Sequence, residues 1–192
     1  MTEMLEVRWH GRGGQGAKTA SLLLGEACLG EGRHIQAFSE YGPERMGAPV
    51  QSFNRVSDAR IRLRCNVTAP QVVVVLDDSL IGPVDVTEGL PAGGKIIVNT
   101  AVSAAEMRRR LQLTDGEVFT VDASQIAKET IKRDIPNTPM LGALARVTGI
   151  LKLESLLEDT RKRLEKKFAS KPEVISGNLQ AMERGYQEVT HE

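Results

Sequence analysis

A short alternating strand that runs straight into a glycine cluster, which then opens an apolar helix, constrains this chain more than any other feature. The residues are Leu5-Glu6-Val7-Arg8-Trp9-His10-Gly11-Arg12-Gly13-Gly14-Gln15-Gly16-Ala17-Lys18-Thr19. Glycines 11, 13 and 16 fit G-x-G-x-x-G, and Gly14 adds a fourth. Such a turn lets the backbone approach a diphosphate closely, while N–H groups at the helix start point at the anion. The bland alternative is a tight strand-to-helix turn with no ligand, and its position between strand and helix favours binding. Arg12 and Lys18 flank the glycines and read equally as phosphate partners or as solvated surface cations.

The elements that follow alternate between strand and helix. Ala17 to Leu29 has Ala20, Leu23, Leu24, Ala27 and Cys28 on one face, and Gly30 and Gly32 stop it. His34 to Phe38 reads as a second strand, followed by a Gly/Pro loop from Ser39 to Pro49. Val50 to Val56 and Ala59 to Cys65 read as a hairpin joined by Ser57-Asp58. In the latter segment Ile61, Leu63 and Cys65 face the core and Arg60, Arg62 and Arg64 face away. Val72 to Leu76 is wholly apolar, the pattern of a strand covered on both faces, and Lys95 to Asn99 and Glu117 to Val121 are further strands. Helices are expected over Ser103 to Leu113, with Ser103 and Glu106 as a capping box, over Gln125 to Ile131, and from Asn137 or Thr138 to about Val147. The pattern predicts an α/β fold, Rossmann-like, with a mostly parallel sheet flanked by helices. Two more helices, one carrying Leu153 to Phe168 and one carrying Ile175 to Val189, form a C-terminal helical extension. We read residues 1–192 as one domain, with a core over 1–150 and the helices over 151–192.

Composition narrows the function classes. Lys+Arg and Asp+Glu both total 25, which offers no basic excess for nucleic acid. The longest apolar run, Val72 to Leu76, is far too short to span a membrane, and the acidic start is unlike a signal peptide. A cytoplasmic location is expected. Cys28 and Cys65 lie far apart with no C-x-x-C, which argues against a metal, a cluster or a disulfide framework.

Groups able to transform a substrate are scarce. There is no G-x-S-x-G, H-E-x-x-H or G-x-x-x-x-G-K-[ST]. His10 reads as a hydrogen-bonded structural histidine more readily than as a ligand contact. Asp77 and Asp78 follow a buried strand, where they suit either a ligand or a cap. The acid that a dinucleotide enzyme needs after its second strand is late, at Glu40. Arg60, Arg62 and Arg64 read chiefly as a solvated edge, with an acidic partner or a phosphate as the rival use. A place to bind something phosphorylated, with little to react with it, points to a subunit.

Gly11-Arg12-Gly13-Gly14-Gln15-Gly16, Tyr41-Gly42-Pro43-Glu44-Arg45-Met46-Gly47-Ala48-Pro49, Val98-Asn99-Thr100 and Asn137-Thr138-Pro139-Met140-Leu141-Gly142-Ala143 occur in this order. Together they closely resemble the gamma subunit of the 2-oxoacid:ferredoxin oxidoreductases, of which pyruvate:ferredoxin oxidoreductase (pyruvate synthase) is best known. Met46 stands where a basic residue is more often found. The resemblance implies oxidative cleavage of a 2-oxoacid, here of the pyruvate type, with coenzyme A to give acyl-CoA, carbon dioxide and reduced ferredoxin. It implies partner alpha, beta and delta subunits, with thiamine diphosphate and Mg2+ on alpha and beta and [4Fe-4S] clusters on beta and delta. For this chain it implies no catalytic residue and no metal. It implies a share of the coenzyme A site at Gly11, Arg12, Gly13, Gly14, Gln15, Gly16, Lys18 and Thr19, with Asn99, Thr100, Asn137 and Thr138 rimming the same crevice. The loop Tyr41, Gly42, Pro43, Glu44, Arg45, Met46 and Gly47 is assigned to subunit contact. A purely structural subunit and a stand-alone NAD(P)-binding enzyme are the competing readings.

Overall fold

In a computed structural model of the chain, which describes residues 4–41 and 47–192, the strands are β1 (Leu5–Arg12), β2 (His34–Tyr41), β3 (Pro49–Ser57), β4 (Val72–Val75), β5 (Lys95–Asn99), β6 (Glu117–Val121) and β7 (Thr190–His191). They form one sheet in the order β2-β3-β1-β4-β5-β6-β7. β1, β4, β5 and β6 pair in parallel, β2 runs in the same direction, and β3 and β7 run against them. The sheet is thus mixed but mostly parallel in direction, as the alternating elements predict.

Six helices flank it: α1 (Ala17–Gly30), α2 (Ala104–Leu111), α3 (Ala123–Thr130), α4 (Asn137–Thr148), α5 (Leu153–Phe168) and α6 (Pro172–Glu188). Because strand side chains alternate between faces, Val7, Trp9, Val72, Val74 and Ile97 join α1, α3 and α4 in one core. Val73, Val75, Ile96, Val98 and Val118 join Ala104 and Met107 of α2 in the other. Apolar runs on β4 and β5 follow directly from this two-sided burial. A buried polar chain ties β1, β3 and α1 together: Trp9 Nε1 donates to Asn54 Oδ1 (2.9 Å), and Asn54 Nδ2 to the Ser21 carbonyl (2.8 Å).

The C-terminal helices cover the first core, α5 against α1 and α6 against α4. Backbone meets backbone between α4 and α6. A Cβ on Gly142 would stand 2.0 Å from the Met182 carbonyl oxygen, and one on Gly185 2.0 Å from that of Pro139. The chain then returns to the sheet, where β7 pairs with β6. Periodicity does not announce a strand of two residues.

The expected hairpin partner Ala59 to Cys65 is corrected by the structure: these residues form no strand. β3 is flanked by β1 on one side and β2 on the other, so it has no free edge for a hairpin partner. Leu63 is 45% exposed and Cys65 is exposed, contrary to the core-facing side expected of them. β2 continues past Phe38 to Tyr41. Ser103 Oγ accepts the Glu106 N–H (3.3 Å) as expected, whereas the Glu106 carboxylate turns to Arg109 and Arg110. Among the described residues no helix is long and apolar enough to cross a membrane.

Candidate functional site

The chain leaves β1 for α1 and β2 on one side, and after β3 crosses to β4 on the other. The carboxyl ends of β1 and β4 therefore flank the point at which strand order reverses, where α/β sheets place their ligands. Gly11 and Arg12 end β1, Gly13 to Gly16 follow it, and Asp77 follows β4.

The turn is closed by its own groups. Gly13 N–H donates to the Ala48 carbonyl (3.1 Å), Gln15 N–H to the Arg12 carbonyl (3.1 Å), and Arg12 N–H to Gln15 Oε1 (2.7 Å). Gly16 caps α1 in the left-handed region at φ 89°, and a Cβ there would meet Asn137 Nδ2 at 2.7 Å. Both constraints require glycine. Gly14, at φ 101°, is exposed, with nothing within 4 Å of the position a Cβ would take. Helix geometry leaves the first N–H groups of α1 without intrahelical acceptors. Lys18 and Thr19 lie exposed on this first turn.

Asp77 is the hub. Its Oδ2 accepts from Gln15 Nε2 (2.7 Å) and from Arg12 Nε (3.1 Å), and its Oδ1 accepts from Ser79 N–H (3.0 Å). Burial opposes ionisation of Asp77, but hydrogen bonds from Ser79 and Gln15 and the Arg12 charge outweigh it, holding the carboxyl below its usual range. Arg12 also donates to the Gly47 carbonyl (3.1 Å) and to Ser79 Oγ (3.0 Å). The expected phosphate-binding arginine is thus engaged within the chain, bracing the turn against β4 and the entrance to β3.

Beyond Gln15 opens a crevice of about 540 Å³, walled by the ends of β4, β5 and β6. Asn99 and Thr100 line it, as expected. Asn99 Nδ2 donates to the Leu76 carbonyl and to Ser124 Oγ (both 2.9 Å), and Thr100 Oγ1 donates to Asp78 Oδ2 (2.9 Å). Asn137 packs on Gly16, its Oδ1 accepting the Thr138 N–H (2.9 Å), and Thr138 Oγ1 donates to Asn178 Oδ1 (3.1 Å). The α4 start therefore meets the turn at Gly16, but Asn137 and Thr138 do not line the crevice that Asn99 and Thr100 wall. The walls also carry Asp77, Asp78, Asp122 and Asp134. Of these, Asp134 pairs with Lys128 (3.0 Å), and Asp122 caps α3 through Gln125 N–H (2.9 Å). The crevice is acidic, which its separate segments do not announce; Ser79 and Asp134 carry no sequence signal, and Ser124, a cap candidate by sequence beside Asp122, leaves the cap to Asp122 and meets Asn99 instead.

His10 is 2% exposed on β1, and its Nε2 has no partner among the described residues, contrary to the hydrogen-bonded role expected. Burial first, and the Arg8 charge second, push its pKa down to about 3. In the loop assigned to subunit contact, residues 42–46 lie outside the described residues. Tyr41 ends β2, and Gly47 takes φ 76° with its carbonyl on Arg12. Among the described residues no group of His, Cys, Asp and Glu is placed to hold a metal.

The family model described as pyruvate ferredoxin/flavodoxin oxidoreductase matches residues 6–188. The chain is 52% identical to pyruvate synthase subunit PorC of Thermotoga maritima, over 96% of this chain and 94% of that one. It is 50% identical to the pyruvate/ketoisovalerate oxidoreductases common subunit gamma of Thermococcus kodakarensis, over 81% of this chain and 84% of that relative. The crystal structure of the T. maritima PORC subunit superposes with a TM-score of 0.86 at 47% identity, covering 99% of both chains. A 2-oxoglutarate:ferredoxin oxidoreductase from Magnetococcus marinus, solved with 2-oxoglutarate, coenzyme A and succinyl-CoA, shares the fold (TM-score 0.76, 20% identity). The match covers 97% of this chain and 31% of that one.

Proposed function

Because the chain belongs to the pyruvate ferredoxin/flavodoxin oxidoreductase family and is a gamma subunit of a pyruvate/2-oxoacid:ferredoxin oxidoreductase, we propose that its glycine turn supplies part of the coenzyme A site of that complex. In this reading the chain makes and breaks no bond. It works beside alpha, beta and delta subunits in the cytoplasm, and they carry thiamine diphosphate, Mg2+ and [4Fe-4S] clusters and pass electrons to ferredoxin. Pyruvate is the 2-oxoacid, in keeping with the names of both relatives.

The open start of α1 carries this reading. Coenzyme A brings a diphosphate and a 3′-phosphate, and a helix N-terminus, whose first N–H groups have no intrahelical acceptor, with the exposed Gly14 beside it fits such groups. Binding rests on the backbone at Gly14 and at Gly16 to Thr19, while Arg12 and Gln15 hold the turn in shape through Asp77. The aspartates of the adjoining crevice repel phosphate and confine it to the turn. Asn99 and Thr100 set the far rim, Asn137 and Thr138 back the turn at Gly16, and the loop from Tyr41 to Gly47 meets a neighbouring subunit. The Magnetococcus complex, of the same fold, was solved with coenzyme A, which directs the choice of anion.

A purely structural subunit is the second reading, favoured by the internal engagement of Arg12 and Gln15. A dinucleotide enzyme fits less well: β1 has antiparallel β3 beside it, and β2, with its late acid, lies one strand further off. Gly16→Ala in the assembled complex separates these readings. The expected result is a KM for coenzyme A raised about tenfold, the equivalent of ~1.4 kcal/mol, with subunit stoichiometry unchanged. An unchanged KM in a complete complex refutes the site, and loss of assembly alone supports the structural reading.

A further inference from the structure

β2 is the terminal strand of the sheet. β3 pairs with its inner side along its whole length, from His34↔Ser57 to Tyr41↔Val50, and no strand meets its outer side among the described residues. Natural sheets rarely leave an edge of this length bare, because its N–H and C=O groups invite another chain. Ile35 and Ala37 point toward α1, where they would meet a Cβ on Gly25. Gln36 and Phe38 therefore point to the opposite face, over which no helix packs on β2 or β3 among the described residues.

Residues 60–65 lie over that face. They alternate arginine with Ile61, Leu63 and Cys65, a pattern suited to a strand, yet they make no backbone–backbone hydrogen bond among the described residues. Side chains anchor them instead. Gln36 Nε2 donates to the Leu63 carbonyl (2.9 Å), Gln36 Oε1 accepts from Arg55 Nη1 (3.2 Å), and Arg55 Nη2 reaches Cys65 Sγ (3.8 Å). The segment is thereby tied to the sheet beside its bare edge, with the Leu63 carbonyl engaged by Gln36 and none of its backbone groups paired to backbone among the described residues.

Charge completes the picture. Arg60, Arg62 and Arg64 are exposed, and none makes an ion pair or side-chain hydrogen bond among the described residues. With Gln36, Ile61 and Leu63 they wall a cavity of about 480 Å³ that has no carboxylate in its lining. By contrast Arg12, Arg33, Arg55, Arg108 and Arg184 all have acidic partners. In a chain with 25 basic and 25 acidic residues, three guanidinium groups at alternate positions, unmatched among the described residues, are a local excess of one sign.

Resting on the gamma-subunit reading, we propose that the edge of β2 and residues 60–64 dock an acidic, extended segment of a companion subunit of the oxidoreductase. Such a segment adds a strand to β2, and its backbone pairs with the free edge. Its alternate side chains fall on the face of Gln36 and Phe38, where carboxylates meet the three arginines in fork-like pairs and an apolar side chain covers Leu63. A phosphate group engages one or two arginines and leaves both the edge and Leu63 uncovered; a polypeptide covers all of them.

The test is association of this chain with the purified companion subunits. Arg60→Glu, Arg62→Glu and Arg64→Glu together are expected to weaken assembly at least tenfold at 0.15 M salt and to abolish its salt dependence. The fold itself should persist, because these side chains have no ion-pair or hydrogen-bond partners among the described residues. A photo-crosslinking residue at Leu63, which alters no charge, is expected to attach to an Asp/Glu-containing segment of a companion subunit in the otherwise native complex. Unchanged assembly overturns the proposal. So does a crosslink to a second copy of this chain, or normal assembly with a raised KM for coenzyme A, which would mark a phosphate site. The glycine-turn reading fails through KM and this one through assembly, so either can fall alone.

Discussion

The two halves of the sheet are closed by different means. β4, β5 and β6 are parallel strands between two apolar layers, with α3 and α4 on one face and α2 on the other. β2, β3 and β1 have α1 on one face and, among the described residues, no helix packed on the other. Their other face is filled by Arg8, His10, Phe53 and Arg55, nearly all polar and all buried. Arg55 pairs with Glu6 (2.7 Å) and lies 5.7 Å from the Phe38 ring, and Arg8 donates to the carbonyls of Val86 (3.0 Å) and Glu88 (2.6 Å). One half is a closed hydrophobic sandwich. The other is a polar, directional surface of the kind an assembly can build on.

The sharpest way to break that contrast is to truncate each half. Arg55→Ala leaves Glu6 half-buried without its partner and is expected to cost about 3–5 kcal/mol, measured by urea unfolding. Arg55→Met with Glu6→Leu should recover most of the loss. In the apolar half Ile97→Val is expected to cost about 0.5–1.5 kcal/mol. Equal losses from Arg55→Ala and Ile97→Val would erase the distinction.

A smaller effect is expected where α6 meets α4. Gly185→Ala drives a methyl into the Pro139 carbonyl and should cost roughly 1–3 kcal/mol. Since α4 also presents Asn137 to Gly16, the same variant should loosen the turn, seen as faster amide exchange at Gly14 to Ala17. Full protection there would show that α4 does not support the site.

Smallest near neutrality is a pH effect confined to the polar half. His10 has a folded pKa of about 3 against 6.5 unperturbed, so the folded chain binds fewer protons than the unfolded one between these values. Stability therefore falls as pH drops through that window, by at most ~1.4 kcal/mol per pH unit. His10→Gln should flatten that slope. Parallel pH–stability curves for the two proteins would remove His10 as the cause.

The same division explains what the sequence discloses. Val72 to Leu76 and Lys95 to Asn99 are legible because burial on both faces leaves an unbroken apolar run. Arg60 to Cys65 misleads because its alternation is that of a strand, while β3 has no edge left to pair with it. The glycine turn, Asn99 and Asn137 are legible because close backbone approach and strand or helix ends demand particular residue types. The role of Asp77 is only half legible: a residue after a buried strand is expected near the site. That it holds Arg12 and Gln15 depends on β4 lying beside β1, a pairing between residues 65 positions apart.

Amide hydrogen exchange across residues 11–19 of the assembled oxidoreductase, with and without saturating coenzyme A, probes the turn without any substitution. Slower exchange at Gly14 and at Gly16 to Thr19 on adding coenzyme A is the predicted result. Unchanged exchange over this stretch while coenzyme A is bound elsewhere in the complex would contradict it.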